Sequence, residues 1–401
     1  MEFTNRELAR FHRSSGIDVK NVLGYDTIEQ RLDLLQQLFK QDSPQPDLCK
    51  VDTIWPGILA RDLIDLRPYL GDELRAIDPE LLRFFTVDGR VVALPFEVDI
   101  GVLYYRTDLL RKYGYRHPPA TWEELGSMAW NIQQGERRAG NREFWGFAWE
   151  GNEGESLTCN ALEWQMAEGG GSLVDNDRAI AADNEASRRA IERAAAWVGT
   201  ISPPSIVEYD EEDAKDFWLT GNVAFLRSWL DVYQSTRQSS SPIRNRFDVA
   251  PLPSGSAGPR SVFGGMALGV SRHSRHPREA IEALRFLVSA DVQHRRTRAT
   301  GMVPTRVALL EDQSLLSDTP FRGEFGKRWR DGVFARPSTS AKVTYDLVSR
   351  EYAHAVHLVL VHRASAAQAL GNFQRELVRL TGLPVASGRT SQRPPGAVYQ
   401  H

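Results

Sequence analysis

Two carboxylates stand two positions apart in a segment with the composition of a β-strand. Glu97 and Asp99 alternate with Val98 and Ile100, which are expected to point toward a core. In an extended chain the two acids face the same side, roughly 6–7 Å apart at the backbone. Each carboxylate accepts several O–H groups, so the pair could bind sugar hydroxyls. The alternatives that stay open are a glycosidase acid pair, a solvated strand end, and a salt bridge with Arg106.

Tryptophan is the second residue type that could contact a ligand. The chain contains 10 Trp, and an indole offers a flat apolar face to a pyranose ring while neighbouring groups bind the hydroxyls. Candidates lie among polar residues or near glycines: Trp149, Trp218 and Trp229. Core packing is the alternative role for each of them. Other tryptophans fall inside helical patterns and are expected in the core: Trp122, Trp130 and Trp197.

A glycine-rich apolar segment at residues 263–270 could bring a backbone close to a ligand. Gly264 and Gly265 lie in it, followed by Gly269, and such a strand leaves room for close approach. The spacing does not fit a dinucleotide-binding loop. The sequence contains no P-loop, no G-x-S-x-G, no H-E-x-x-H and no EF-hand motif. We therefore expect no cofactor and no metal.

Length and composition exclude several classes of protein. The chain has 401 residues, with 49 Lys and Arg against 52 Asp and Glu, so a two-domain protein without a general attraction to nucleic acid is expected. No apolar run reaches ~18 residues, which argues against a membrane-spanning helix. The two cysteines, Cys49 and Cys159, cannot form a disulfide framework and are expected to be small buried residues. The first residues carry charge and no apolar signal segment.

The elements that would position these residues follow an α/β pattern. Residues 17–22 predict a strand, residues 28–40 an amphipathic helix and residues 48–55 a second strand. This early β–α–β order favours a parallel sheet. Residues 89–95 predict a turn that leads into a strand ending at the proline, and further strands are predicted at 100–105, 223–227, 247–252 and 263–270. Further helices are predicted at 5–13, 107–114, 157–167, 184–198, 214–220, 277–287, 309–316, 345–361 and 365–380. Thr121 and Glu124 form a helix-start motif.

A series of short motifs resembles one family of proteins. The segments Val51-Asp52-Thr53-Ile54-Trp55, Ala93-Leu94-Pro95-Phe96 and Gly101-Val102-Leu103-Tyr104-Tyr105 are followed by Gly264-Gly265-Met266-Ala267 and Gly301-Met302-Val303-Pro304. In order and spacing they are similar to the extracellular solute-binding proteins of ABC importers, with the maltose- and trehalose-type carbohydrate binders as nearest kin. The resemblance covers roughly residues 5–380.

The resemblance implies a class II periplasmic-binding-protein-like fold, with two α/β lobes joined by crossing strands and a ligand in a hinged cleft between them. Both lobes are then discontinuous. Lobe 1 is expected at residues 1–104 plus 251–305, and lobe 2 at residues 105–250 plus 306–382. Residues 383–401 are expected to form a disordered tail.

The resemblance also implies roles for particular residues. In the first lobe Asp52 and Asp99 would accept sugar hydroxyls, with Glu97 beside them, although Asp52 could instead cap a strand end. In the second lobe Trp229 would stack on the sugar. Backbone and apolar contacts would come from Phe263, Gly264, Gly265 and Met266. Arg336 would donate a fork of hydrogen bonds, with a surface ion pair as its alternative, and Trp149 and Glu150 are further candidates.

These implications describe a carbohydrate-binding protein that is not an enzyme. Its partners would be the sugar and the membrane permease subunits of an ABC importer, with no nucleic acid. A mono- or disaccharide is expected, such as the α-glucosides trehalose or maltose. The alternatives are a glycoside hydrolase that uses Glu97 and Asp99, and a binder of a non-sugar solute. The resemblance implies a periplasmic or extracellular location, and it also allows a full precursor that is tethered to the membrane.

Overall fold

The computed structural model describes residues 2–22, 28–175, 179–238, 240–317, 319, 332–338 and 345–386. The chain divides into two compact units. Unit 1 contains Met1–Ile100 and Phe263–Arg328, and unit 2 contains Gly101–Val262 and Trp329–His401. The chain therefore passes from one unit to the other three times, after Ile100, after Val262 and after Arg328.

Helices and strands are interspersed along the chain. The strands are β1 Leu48–Asp52, β2 Thr86–Val87, β3 Arg90–Val91, β4 Leu94–Ile100, β5 Val102–Arg106, β6 Trp145–Ala148, β7 Val223–Ser228, β8 Phe247–Ala250, β9 Ser261–Val270 and β10 Val333–Phe334. The helices of unit 1 are α1 Glu2–Ser15, α2 Ile28–Lys40, α3 Pro56–Leu59, α4 Gly71–Ala76, α5 Pro79–Arg83, and, after β9, α12 Pro277–Leu287, α13 Ala290–Thr300, α14 Val307–Leu310 and α15 Gln313–Leu316. Those of unit 2 are α6 Thr107–Lys112, α7 Trp122–Arg138, α8 Glu155–Ala167, α9 Glu185–Trp197, α10 Glu211–Leu219, α11 Val232–Arg237, α16 Tyr345–Leu360 and α17 Ala366–Thr381.

Unit 1 is built on a sheet in which β9 lies between β1 and β4. Both neighbours run antiparallel to β9. The register of β4 shifts between Pro95 and Glu97, so Phe96 is an extra residue on that strand. The hairpin of β2 and β3 turns at Asp88 and Gly89, whose φ angles of 47° and 74° fit a type I′ turn.

Unit 2 is built on a sheet with the strand order β6-β7-β5-β8. The pairs β5–β7 and β5–β8 are antiparallel, and β6–β7 is parallel. The first two residues of β9, Ser261 and Val262, belong to unit 2 and pair in parallel with β10. Helices α8, α9, α16 and α17 pack against one another. Their contacts bury an aromatic core that includes Trp164 and Tyr352.

Several sequence predictions are confirmed by this architecture. The helices at 28–40 and 277–287 have the predicted limits. Thr121 caps α7 by accepting a hydrogen bond from the backbone N–H of Glu124 at 3.1 Å. Cys49 and Cys159 are free and buried. Burial raises the pKa of Cys49 to about 12, and it also raises the pKa of Cys159.

Other sequence predictions are wrong. Residues 17–22 form no strand, because their alternation finds no partner strand among the described residues and Val22 is 84% exposed. The predicted parallel sheet is mostly antiparallel, since β1 pairs with the distant β9 rather than with a nearby strand. The turn predicted at Gly89 is present, but the strand expected to end at Pro95 is split into β3 and β4, and Pro95 lies inside β4 beside the register shift. Trp130 is 49% exposed rather than part of the core.

The predicted C-terminal tail begins with an ordered stretch. The backbone N–H of Ile180 donates to the carbonyl of Pro384 at 2.8 Å, and the N–H of Ala386 donates to the carbonyl of Ile180 at the same distance. The rest of the predicted tail, residues 387–401, lies outside the described residues. Across the described part of the chain, no helix is long and apolar enough to cross a membrane.

Candidate ligand-binding site

Unit 1 places its candidate acids on the two strands that flank β9. Asp52 of β1 and Glu97 of β4 both pair with Met266 of β9, from opposite sides, and Asp99 pairs with Gly264. Residues that pair directly across a sheet have neighbouring side chains. The structure therefore brings together three carboxylates and the glycine-rich part of β9, although they are up to 214 positions apart from Asp52 to Met266 in the sequence.

Asp52 is tied to its own turn. Its Oδ1 accepts hydrogen bonds from the backbone N–H of Ile54 at 3.1 Å and from the hydroxyl of Thr53 at 3.2 Å. Asp52 is buried, with 4% of its surface exposed. These contacts are those of a strand-end cap, the structural role that was the alternative to ligand binding.

Glu97 and Asp99 have different surroundings. The Glu97 carboxylate lies 3.9 Å from the ammonium of Lys50, whose side chain is half-exposed. The Asp99 carboxylate accepts a hydrogen bond from the backbone N–H of Ile100 at 2.9 Å. Val98 and Ile100 are buried, as the alternation predicts. Both acids keep partial exposure, which leaves them able to accept hydrogen bonds from a solute.

The predicted pairing of this strand end with Arg106 is replaced by a different ion pair. The guanidinium of Arg106 binds the carboxylate of its neighbour Asp108 at 2.7 Å and 2.8 Å, and it also donates to the carbonyl of Gly221 at 2.7 Å. All three residues lie in unit 2.

Packing in the sheet requires glycine at position 265 of β9. Gly265 has a φ of 107°, and a Cβ there would lie 2.2 Å from the carbonyl oxygen of Glu97. Only glycine tolerates that conformation and that contact. Phe263 is 1% exposed, and its ring stacks on that of Phe84 at a centroid distance of 4.3 Å. Phe263 is thus a core residue of unit 1, while Met266 keeps part of its surface exposed.

Trp229 of unit 2 follows β7 directly and is held at several points. Its indole N–H donates to Glu211 at 2.9 Å. Its backbone carbonyl accepts a hydrogen bond from the Tyr104 hydroxyl at 2.7 Å. The guanidinium carbon of Arg227 lies 4.5 Å from the ring centroid, a distance that allows a cation–π contact. The ring is therefore fixed at its edge and over one face.

Two other candidate tryptophans pack inside unit 2. Trp149 has no exposed surface, donates to the Ser202 hydroxyl at 3.0 Å and meets the ring of Trp164 edge-on. Trp218 is equally buried and donates to the Thr236 hydroxyl at 3.0 Å. Such contacts are those of core tryptophans with satisfied N–H groups.

Arg336 belongs to a buried polar cluster of unit 2. Its guanidinium binds Glu155 at 2.7 Å and approaches the sulfur of Cys159 at 3.5 Å. The Glu155 carboxylate also accepts hydrogen bonds from the hydroxyls of Tyr345 and Ser349. Burial raises the pKa of Glu155, and the charge of Arg336 offsets part of that effect. Arg336 is 6% exposed, so its ion pair is internal rather than on the surface.

Sequence reasoning missed two residues that support Trp229. Arg227 on β7 and Glu163 on α8 are both fully buried and form a two-point ion pair, with N–O distances of 2.8 Å. A signal was available, because each is a lone charge within an apolar run.

Among the described residues, no group of three or more acidic, histidine or cysteine side chains could hold a metal ion.

The comparisons with known proteins place this geometry in a family. A model described as "Bacterial extracellular solute-binding protein" matches residues 2–294. The chain belongs to this family. A "Probable ABC transporter-binding protein" of Deinococcus radiodurans is 37% identical over 372 residues, which cover 92% of this chain and 88% of that protein. The resemblance to extracellular solute-binding proteins is therefore confirmed.

Solved structures agree with this assignment. Maltose-bound MalE3 of T. maritima is 31% identical, with a TM-score of 0.86 over 94% of this chain and 96% of that chain. The GacH receptor of Streptomyces glaucescens, solved without ligand and with acarbose, shares the fold at a TM-score of 0.81 and 22% identity, over 95% of each chain. This solute-binding protein thus has the mixed α/β fold of two-lobe periplasmic binding proteins.

Membership of the solute-binding family also decides between binding and catalysis. Members of this family bind solutes and are not enzymes. The alternative of a glycoside hydrolase acting through Glu97 and Asp99 finds no support. The two acids are therefore interpreted as groups for binding or structure.

Proposed function

We propose that this solute-binding protein is the substrate-binding component of an ABC importer for sugars, and that it takes a mono- or disaccharide such as an α-glucoside. The observation that carries the proposal is the likeness to a maltose-bound protein, MalE3 of T. maritima, at 31% identity over 94% of this chain. The relative from Deinococcus radiodurans, a "Probable ABC transporter-binding protein", supports the importer as partner.

The candidate residues of unit 1 suit a neutral, hydroxyl-rich solute. Asp52 on β1 and Glu97 and Asp99 on β4 put three carboxylates on the strands that flank β9, and the ammonium of Lys50 lies 3.9 Å from Glu97. Carboxylates accept O–H groups well, and their negative charge opposes a strongly anionic solute. We propose Asp99 and Glu97 as the acceptors of sugar hydroxyls, with the backbone of Gly264 and the side chain of Met266 beside them.

The candidate residues of unit 2 supply an aromatic surface. We propose that Trp229 stacks on the apolar face of the sugar ring, because its indole is held in place by Glu211 and Arg227. Trp149, Phe263 and Arg336 have the contacts of core residues and are left out of the proposed set. The two units would be the two discontinuous lobes that the family resemblance implies.

A thermal-shift panel tests the proposal. The panel contains maltose, trehalose, glucose and ribitol as neutral polyols, with amino acids, polyamines and sugar phosphates as the comparison set. A ligand that binds the folded state at 100 times its Kd stabilises that state by about 2.7 kcal/mol, so a neutral sugar should raise the Tm by a few degrees. If only non-sugar solutes raise the Tm, the sugar assignment is wrong while the family assignment stands.

Matched tryptophan variants then test the site. Trp229→Ala should remove the Tm shift caused by the active sugar. Trp130→Ala, at an exposed position of α7 in the same unit, should leave that shift intact. An equal response of the two variants would show that Trp229 does not contact the sugar.

A further inference from the structure

The Trp229 indole is held through a chain of charged groups. Arg227 lies over its ring, with the guanidinium carbon 4.5 Å from the ring centroid. The guanidinium in turn donates two hydrogen bonds of 2.8 Å to Glu163 and one of 3.0 Å to Glu150. Arg227, Glu150 and Glu163 have no exposed surface. A planar guanidinium bound at two points by a carboxylate has little freedom to rotate.

Burying such a cluster carries a large desolvation cost. Three charges are removed from water, and apolar residues of similar volume often give equal or greater stability. Burial raises the pKa of Glu150, and the Arg227 charge offsets part of that effect. Stability alone therefore does not explain the cluster. A role in orienting an aromatic ring does, because the fixed guanidinium of Arg227 lies over the ring of Trp229.

The Glu163 carboxylate also lies against two of the three points at which the chain changes units, Gly101 and Val262. Glu163 accepts a hydrogen bond from the backbone N–H of Val262 at 3.0 Å. The hydroxyl of the adjacent Ser261 donates to the carbonyl of Gly101 at 2.5 Å. Gly101 is packed so closely that a Cβ there would lie 2.1 Å from the Glu163 carboxylate and 2.7 Å from the Arg227 guanidinium.

We propose that Arg227, fixed by Glu163 against Gly101 and Val262, is a positioning residue that holds the Trp229 indole in the orientation required for stacking on the solute. The inference rests on the proposed function, in which Trp229 is the stacking residue. Gly101 has a specific part in it, because only a residue without a Cβ leaves room for the Glu163–Arg227 pair.

Fluorine NMR of the full chain labelled with fluorotryptophan tests the positioning without any solute. The Trp229 resonance is identified by its loss in Trp229→Phe. It should shift or broaden in Arg227→Lys, which keeps the charge but loses the two-point contact. The same change is expected in Gly101→Ala, which leaves every charge in place and adds one methyl group against the ion pair.

Gly126→Ala is the matched control for Gly101→Ala. Gly126 lies on α7 of the same unit, and a Cβ there would have Trp197 as its neighbour at 3.9 Å, an ordinary contact. The Trp229 resonance should not move in this variant. If Arg227→Lys fails to fold, Gly101→Ala decides the test. An unchanged Trp229 resonance in Gly101→Ala overturns the proposal.

Titration calorimetry with maltose and trehalose gives a second readout. In Gly101→Ala the affinity for the sugar that binds should fall roughly tenfold, within the range of a cation–π contact. In a Trp229→Ala background the same substitution should have no further effect, because Arg227 acts through Trp229. Additive losses would overturn the proposal. If neither sugar binds the unsubstituted chain, the proposed sugar assignment fails, and the NMR result still decides whether Arg227 positions Trp229.

Discussion

The guanidinium carbon of Arg296 lies 4.2 Å from the ring centroid of Phe96, in unit 1. Arg296 is 2% exposed, and none of its three side-chain nitrogens has a hydrogen-bond partner in the part of the chain that the structure describes. Burial lowers the pKa of Arg296 to about 10, and the charge of Glu97 offsets part of that effect. An aromatic face does not replace the lost hydrogen bonds, so this charge is expected to destabilise unit 1.

Replacing Arg296 should therefore stabilise the protein. Arg296→Met keeps most of the apolar stem and removes the charge, and we expect a gain of about 1–3 kcal/mol in the free energy of unfolding at pH 7. Because the pKa is lower in the folded state, the destabilisation is full below pH ~10 and fades only as the pH rises toward the value of the unfolded chain. Urea unfolding at pH 7 measures the gain.

The adjacent arginine gives the matched control. Arg295 binds Glu7 at 2.6 Å and 3.1 Å, and that carboxylate is buried. Arg295→Met should lower the free energy of unfolding by about 1–3 kcal/mol, since it leaves Glu7 with a weaker partner. Loss of stability in both variants would contradict the interpretation of Arg296.

A second prediction concerns pH and Asp231, two residues after Trp229. Burial, followed by the negative charge of Glu211, raises the pKa of Asp231 to about 6, with Lys215 acting in the opposite direction and Glu212 adding to the rise. Because the pKa is higher in the folded state, ionisation destabilises that state. The destabilisation is absent below pH ~4, grows between pH ~4 and 6, and is complete above pH 6.

Asp231→Asn should consequently be more stable than the unsubstituted chain at pH 7, by on the order of 2–3 kcal/mol. The two should converge below pH ~4. Urea unfolding between pH 4 and 7.5 measures the difference. Asp216→Asn, at an exposed position of α10, serves as control and should show no such pH-dependent gain. A constant difference across the range would show that Asp231 does not titrate there.

A third prediction concerns the glycine at the centre of the unit 1 sheet. Gly265→Ala combines a left-handed φ of 107° with a Cβ 2.2 Å from the carbonyl of Glu97. We expect a loss of at least about 2 kcal/mol in the free energy of unfolding. Gly71→Ala, which starts helix α4 and meets only Arg75 at 3.6 Å, should be close to neutral. Equal effects of the two would indicate that β9 can shift to accept a side chain.

A fourth prediction separates the two interpretations of Arg336. Arg336→Met leaves the buried Glu155 without its cation, and we expect a loss of about 3 kcal/mol or more in the free energy of unfolding. If the role of Arg336 is structural, the folded fraction should bind the active sugar with unchanged affinity. Calorimetry well below the lowered Tm measures this. A tenfold loss of affinity in the folded fraction would return Arg336 to the binding residues.

Local patterns predicted most of the helices and much of the strand content. The helix at residues 28–40 follows from its amphipathic spacing, and the one at 277–287 also has a proline at its start. The strand predicted at 17–22 failed because alternation says nothing about whether a partner strand is present. The pairing of β1 with β9 could not be predicted from local patterns either, because it joins residues far apart in the sequence, such as Leu48 and Val270.

In the candidate site, too, local patterns were predicted and long-range contacts were not. Glu97 and Asp99 were proposed because their spacing in a strand is a local pattern, and Trp229 was proposed from its polar sequence neighbours and from the family resemblance. Its support by Arg227 and Glu163 was missed, because no local pattern links residues 64 positions apart. Contacts that form only in three dimensions also explain Trp149 and Trp218, whose polar sequence neighbours concealed fully buried rings.

The burial of both native thiols has a practical consequence. Maleimide dyes react with thiolates, and Cys49 and Cys159 are buried with raised pKa values. A single cysteine introduced at an exposed position, for example Trp130→Cys, would therefore take up the dye in preference to either native residue. The chain could then be labelled as a fluorescent solute sensor without replacing Cys49 or Cys159.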